Sequence, residues 1–210
     1  FVVDRYVIAQ EAKEIQKALD NFELLGLEDI ADIRRSQLFK DEGEGLEIFE
    51  ISPSDFRKAG FTLESGKTKQ IGSQEKRFST YAIEPYDVLL STKGTIGKVA
   101  IIGDISKPMI ASQAIQVIRI KSVDKKNKAI ALYMFFKSDL GQSILSSLVA
   151  GVAMPQVATA EIKMLKIPVL SKIDEEKLFL NFNNEIEMYN KITKLEQNIK
   201  QIHNEFLGSK

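Results

Sequence analysis

The chain has 210 residues, 44% of them hydrophobic, and Lys+Arg balances Asp+Glu at 29 each. That is enough apolar material for one domain of ordinary size with an extension, and it excludes a disordered chain. Zero net charge removes any global electrostatic argument for nucleic acid, so a DNA face would have to come from local clustering of charge.

With no cysteine, the chain forms no disulfide, no Cys-type zinc site and no thiol nucleophile, which accords with a cytoplasmic setting. No apolar run approaches the ~18 residues of a membrane span, and FVVDRYVIAQ lacks the apolar core of a signal peptide. A start at Phe1 is read as a trimmed or partial polypeptide.

In chain order, residues Arg5 to Asp20 suit a helix, with Ile8, Ala12, Ile15 and Leu19 on one face. Gly26 ends that region, and Leu24 to Ile33 leads into Arg34-Arg35. From Ser36 to Thr80 turn signals dominate, with short strands at Leu46 to Ile51 and Phe61 to Leu63, and one helical turn at Ser54 to Ala59. Val88 to Leu90, Val99 to Ile102 and Ala114 to Ile120 read as strands. A helix follows from Ala129 to Ser147, broken by Gly151, and then a strand from Ile162 to Val169. The last element is one long helix, Ile173 to Leu207. Its residues Met188, Ile192, Leu195, Ile199, Ile202 and Phe206 are spaced 4, 3, 4, 3, 4, which is a coiled-coil seam. Such a stripe needs a partner helix, from this chain or another. The fold class is therefore α+β: a mixed domain over residues 1–172 with a spacer helix over 173–210.

Lys93-Gly94-Thr95-Ile96-Gly97-Lys98 is the sharpest motif. The glycines are too close for a Walker A loop. The G-x-x-G string matches the loop of a KH domain, but here both flanks are strands rather than helices. It is a tight strand connection using glycine at positive φ, either purely structural or also touching phosphate. Further basic groups fall in loops or at strand ends: Arg34 and Arg35; Lys67 and Lys69; Lys76 and Arg77; and Lys93 with Lys98. Gln37, Gln70 and Gln74 lie between them. Lysine and arginine suit phosphates and guanine edges, and glutamine suits adenine edges; the bland alternative is a solvated surface. Lys121 to Lys128 reads as a solvated turn.

Nothing points to catalysis. No D/N/S-P-P-Y/F/W tetrapeptide is present to hold a flipped base, nor a Gly-rich turn for S-adenosylmethionine, so no cofactor is expected. Glu161-Ile162-Lys163 matches only the shortest string of a nuclease core. His203 sits on the terminal helix beside the seam, placed for neither a zinc site nor a triad.

Four blocks resemble the specificity subunit of type I restriction-modification systems. Asp87-Val88-Leu89-Leu90-Ser91 with Gly94-Thr95-Ile96-Gly97 is similar to G-D-[IVL]-L-[ILF]-S-x-x-G-[ST]-x-G, with Tyr86 where glycine is usual. Ile110 to Ala114 precedes an alternating strand. Tyr133 with Ser138 to Gln142 looks like the family's Y-L-x-x-x-L-x-S-x-x-G helix. Gly151 to Gln156, followed by Ile162, Leu165 and Ile167-Pro168-Val169, is similar to the block before the long conserved helix. Lys172 to Lys177 departs from the family's P-L-x-E-Q helix start.

The resemblance implies a non-catalytic target recognition domain. It would bind double-stranded DNA and direct a partner adenine methyltransferase subunit, and a restriction subunit, to their site. It also implies helix pairing or dimerisation through residues 173–207. A full subunit carries two such domains and two long helices, so this chain matches half of that plan: a half-length subunit that pairs with itself, a fragment, or the recognition part of a fused methyltransferase or restriction enzyme, with a coiled-coil protein-interaction module as the rival reading.

Overall fold

The strand with the cleanest alternation organises the molecule. In the computed structural model, which describes residues 13–149 and 156–208 with side chains to residue 204, β9 (Ile115–Ile120) lies within a five-stranded sheet. Its neighbours are β2 (Ala31–Arg35) on one side and β6 (Val88–Ser91) on the other. β7 (Val99–Ile102) and the short β4 (Phe61–Thr62) complete the order β2-β9-β6-β7-β4.

Both faces of this sheet are buried, so successive residues enter two different cores. Ile118 and Ile120 of β9, Val88 and Leu90 of β6, Val99 and Ile101 of β7, and Ala31 and Ile33 of β2 point to one face. Ile115, Val117, Leu89, Ala100 and Ile102 point to the other. The period of two therefore reads as a continuous apolar run in β6 and β7. Each fully buried aliphatic side chain contributes about 1.5–3 kcal/mol.

The first face is covered by helices. α4 (Lys125–Lys137) and α5 (Asp139–Ser147) pack there with α6 (Thr159–Lys163) and the start of α7 (Lys172–Gly208). The second face packs against a three-stranded sheet in the order β5-β3-β8, built from β3 (Glu47–Ile51), β5 (Lys67–Gln70) and β8 (Met109–Ala111). A small third core of Phe39, Ile48, Ile71 and Ile110 lies beneath Phe78 and Tyr81 of α3 (Glu75–Tyr81). β1 (Leu24–Gly26), followed by α2 (Leu27–Ile30), pairs antiparallel with β10 (Lys166–Pro168), Leu25 opposite Ile167. Of the expected N-terminal helix, residues 13–19 are helical (α1), and its earlier part lies outside the described residues, as does Gly151.

Three expected elements differ. The single helix over 129–147 is two helices that meet at Ser138, which is extended and whose Oγ accepts a hydrogen bond from the Gly141 amide at 3.2 Å. The corner is tight: a Cβ at Gly141 would lie 2.0 Å from the Phe135 carbonyl oxygen. The strand expected over 162–169 is instead α6 followed by β10. Glu161 accepts the Ala158 amide at 2.6 Å and so caps the helix start. Residues Ser54 to Ala59 form a turn rather than a helix, closed by Asp55 accepting the Ser52 amide at 2.8 Å.

Tyr86 has φ +68°, in the left-handed region where the family pattern carries glycine. Its hydroxyl donates to Asp104 at 2.8 Å and its ring meets Phe61 edge-on at 6.0 Å. These contacts offset a backbone cost of about 1 kcal/mol.

The loop before β5 is latched by Glu64, which accepts from the Ser106 amide and hydroxyl and from the Lys107 amide. Those donors, the Ser106 amide foremost, hold its carboxyl down at about 2. A depressed pKa adds stability that is complete above the ordinary value of 4.5 and is lost as pH falls towards about 2. Glu64→Gln should therefore speed hydrogen exchange at the Ser106 and Lys107 amides at neutral pH. Unchanged exchange there would remove the latch.

α7 is 37 residues long, about 55 Å at 1.5 Å per residue. Ser171 accepts the Asp174 amide at 3.2 Å at its start. Phe182, fully buried, meets Phe61 at 5.0 Å and Tyr133 at 5.6 Å. Lys137 joins Glu185, the Tyr133 hydroxyl and the Lys58 carbonyl, tying α7 to α4 and to the loop before β4. From Lys191 to Asn204 every residue is exposed, although Thr193 and Glu196 still border a groove with residues 57–63. Met188, Ile192, Leu195, Ile199 and Ile202 are 64, 45, 61, 53 and 63% exposed. At 100° per residue, this stripe lies roughly a third of a turn from the side that carries Phe182 and Ile186. His203 is exposed on the same segment.

Candidate nucleic-acid interface

The Gly turn between β6 and β7 is fixed at its feet and open at its tip. Ser91 is fully buried; its amide donates to the Lys98 carbonyl at 2.9 Å, its carbonyl accepts the Gly97 amide at 3.1 Å, and its Oγ accepts the Lys98 amide at 2.9 Å. Gly94 and Gly97 have φ +75° and +85°, which is why glycine stands at both. A Cβ on Gly94 would meet nothing within 4 Å. Lys93, Gly94, Thr95 and Lys98 are exposed.

Val157 connects this turn to β2. Its amide donates to the Thr92 carbonyl at 3.0 Å, and its carbonyl accepts Arg35 Nη2 at 2.9 Å. Lys93 also pairs through its backbone with Gln156. The Gly turn, the end of β2 and residues 156–159 thus share one end of the five-stranded sheet. Buried Gln116, opposite Arg35 in register, donates to Thr159 Oγ1 at 2.9 Å there.

The other sequence candidates have more internal work. Arg34 donates to the Ala82 carbonyl at 2.9 Å, bracing the end of α3; burial first, then the Arg119 charge, lowers its pKa. Lys69 is buried, donates to the Phe39 carbonyl at 2.7 Å and pairs with Glu50 at 2.8 Å. Gln74 spans the Lys40 backbone and Glu42, with bonds of 2.8–3.1 Å. Arg77 donates to the Leu38 carbonyl at 2.7 Å and stacks 4.4 Å over Phe39. Gln70 is half-buried on β5, its backbone bonded to Asp41 and Glu42. Gln37, Lys67 and Lys76 are exposed. Gln37, Gln74, Lys76 and Arg77 gather around residues 37–42, whereas Lys67 stands at the far end of β5, opposite Glu50.

Carboxylates interleave with that group. Glu42 takes the Ser73 hydroxyl and amide, and Asp41 takes the Gln70 and Gly43 amides, and these bonds lower both pKa values. The positive run from Lys121 to Lys128 is likewise paired: Lys121 with Asp32 at 3.3 Å, Lys125 with Glu84 at 3.3 Å, and Lys128 with Glu175 at 3.9 Å. Glu161-Ile162-Lys163 lies on α6, not on a strand.

A network the motifs did not flag lies at the other end of β6 from the Gly turn. Asp87, fully buried, receives Arg119 Nε at 2.9 Å and Nη2 at 2.7 Å. Arg119 also pairs with Glu84 and donates to the Ala82 carbonyl at 2.9 Å, and Lys125 stands 3.7 Å from Asp87. Burial pushes the Arg119 pKa down, but the Asp87 bond and charge raise it further, so it ends above its ordinary value. Asp87 was visible only as part of the D-[IVL]-L pattern, and no local signal joins it to a residue 32 positions away.

Residues 19–201 match the family described as Type I restriction modification DNA specificity domain. The chain belongs to this family. The family's role is DNA target recognition, and specificity domains are generally non-catalytic.

Solved structures share the fold. A chain of a type I restriction-modification complex is similar at TM-score 0.56 and 14% identity, over 97% of this chain and 50% of that one. The HsdS subunit from Thermoanaerobacter tengcongensis is similar at TM-score 0.54 and 13% identity, over 92% of this chain and 47% of its own. The type IIG restriction endonuclease BpuSI is similar at TM-score 0.58 and 8% identity, over 82% of this chain and 28% of its own. No curated protein matches in sequence. The specificity domain spans about half the length of the type I chains it resembles. Among its described residues no helix is long and apolar enough to cross a membrane, and no group of acids and histidines could hold a metal ion.

Proposed function

We propose that this specificity domain reads a short duplex DNA sequence in the major groove and directs a partner adenine methyltransferase, and a restriction subunit, to it. The observation that carries this reading is the anchored Gly turn, which offers Lys93, Lys98 and an open glycine tip beside the end of β2. In this reading Lys93, Lys98, Lys67 and Lys76 neutralise phosphates. Gln37 faces base edges, and Gln70 and Gln74 do so only from the rim. Arg34, Arg35, Lys69 and Arg77 hold the loops in register through their carbonyl bonds.

α7 beyond Tyr189 pairs with the same helix of a second copy, a reading supported by the exposed stripe of Met188, Ile192, Leu195, Ile199 and Ile202. The likeness to a type IIG endonuclease favours a second reading, the recognition part of a fused enzyme. An N-P-P-F/Y tetrapeptide on the same polypeptide before Phe1 would decide for it.

Selection from randomised duplex DNA at two salt concentrations tests the main reading. An enriched motif of a few base pairs is expected. Lys93→Glu with Lys98→Glu should weaken all sequences alike and reduce the salt slope by about 0.9 for each phosphate no longer neutralised. No enrichment, with a methyltransferase partner supplied, would sink it.

A further inference from the structure

The Gly turn has a third anchor, on α5. Gln142 Nε2 donates to the Gly97 carbonyl at 3.1 Å and to the Phe136 carbonyl at 2.6 Å, using both amide hydrogens. Gly97 lies directly beneath it, where an added Cβ would come within 3.3 Å of Gln142 Oε1. Gln142 follows Gly141, whose backbone is pressed on the end of α4. The α4–α5 corner therefore fixes where the amide stands. The remaining bonds to the body, at Thr92 and Val157, hold the other foot of the turn. Besides Gln142, the Gly97–Lys98 foot is held by its Ser91 bonds and by Ile96, which packs against the main core, so losing the amide frees the Gly97 carbonyl and loosens this side of the turn.

We propose that Gln142 is a positioning residue for DNA recognition: it holds the Gly97 side of the turn so that Lys93 and Lys98 present their charges together. The inference rests on the reading of the Gly turn as a phosphate contact. The core does not need an amide at this place, since the apolar contacts of α5 come from Leu140, Ile144 and Leu145. An amide with two carbonyl acceptors on two elements restricts motion between them.

The test is a cycle of four full-length proteins: wild type, Gln142→Met, Lys93→Ala with Lys98→Ala, and all three changes together. Methionine keeps the length and removes the donor. DNA affinity is measured against salt concentration, and thermal unfolding is followed in parallel. Gln142→Met should weaken binding about fivefold, the scale of a missing hydrogen bond. It should also make the salt slope shallower by about one to two. In the lysine-free background it should change neither.

If Lys93→Ala with Lys98→Ala leaves binding unchanged, the phosphate reading of the turn falls and takes this inference with it. If the lysine changes weaken binding but Gln142→Met does not, or weakens it equally in both backgrounds, the positioning role alone is overturned. Should Gln142→Met not fold, Gln142→Asn, one methylene shorter and unable to span both carbonyls, carries the same expectations.

Discussion

Leu195→Asp together with Ile199→Asp should convert the dimer proposed above into a monomer, read by light scattering after gel filtration. Both side chains are more than half exposed, on the stripe of α7 that faces solvent. Each loses about 1.5–3 kcal/mol of apolar burial in a paired seam, and each new carboxylate must be desolvated there. A rise of at least about a hundredfold in the dimer dissociation constant follows, at 1.4 kcal/mol per decade. Gln197→Asp, on the opposite side of the helix, should leave the dimer intact. A wild-type chain that is monomeric at high concentration would mean that the stripe takes a different helix, such as one from a methyltransferase subunit. Loss of pairing should also weaken binding to any two-part DNA site far more than to one half of it, because the two halves would no longer be linked.

The second large effect belongs to Asp87. Asp87→Asn keeps the shape and removes the charge, leaving the mostly buried Arg119 side chain with Glu84, which is half exposed. Breaking a buried pair from one side costs about 3–5 kcal/mol, which lowers the melting temperature by roughly 6 °C or more in a domain of this size. Urea unfolding should show a lower midpoint at an unchanged slope. An unchanged midpoint would show that the network orders the end of the sheet without stabilising it.

How much of this was legible in the sequence depended on how local the cause was. β6, β7 and β9 could be read because almost all their residues are apolar and face one of two cores. α7 could be read because its seam repeats over several turns. β1, β5 and β8 are three or four residues long and exist only because a distant partner supplies their hydrogen bonds, so no window of sequence announces them; β10 was read, but inside a strand that ran back over the end of α6. The break at Ser138 was written as Ser-x-x-Gly, but the apolar periodicity continues across it and hides it.

The site followed the same division. The glycines of the turn were visible because their conformation requires them. The fates of Arg34, Arg35 and Lys69 were not, because a basic side chain in a loop reads alike whether it faces solvent or a carbonyl dozens of residues away. Gln142 lies 45 residues from the carbonyl it holds.

The pairing of β1 with β10, with Leu25 opposite Ile167, closes the domain at the far end of its own sequence. β2 likewise waits for β9, with Ile33 opposite Ile118. Pairings of such separation are slow to form because loop closure must precede any gain from them. During synthesis the first strands therefore have no sheet to join until most of the domain has left the ribosome. The edge of β9 and the apolar face that α7 covers stay open in the meantime, and such surfaces are prone to aggregation. α7 follows β10 immediately in the chain, so the helix that leads out of the domain is also the piece that seals it. Truncation within the first turns of α7 should slow folding and lower soluble yield before it touches any residue that meets DNA.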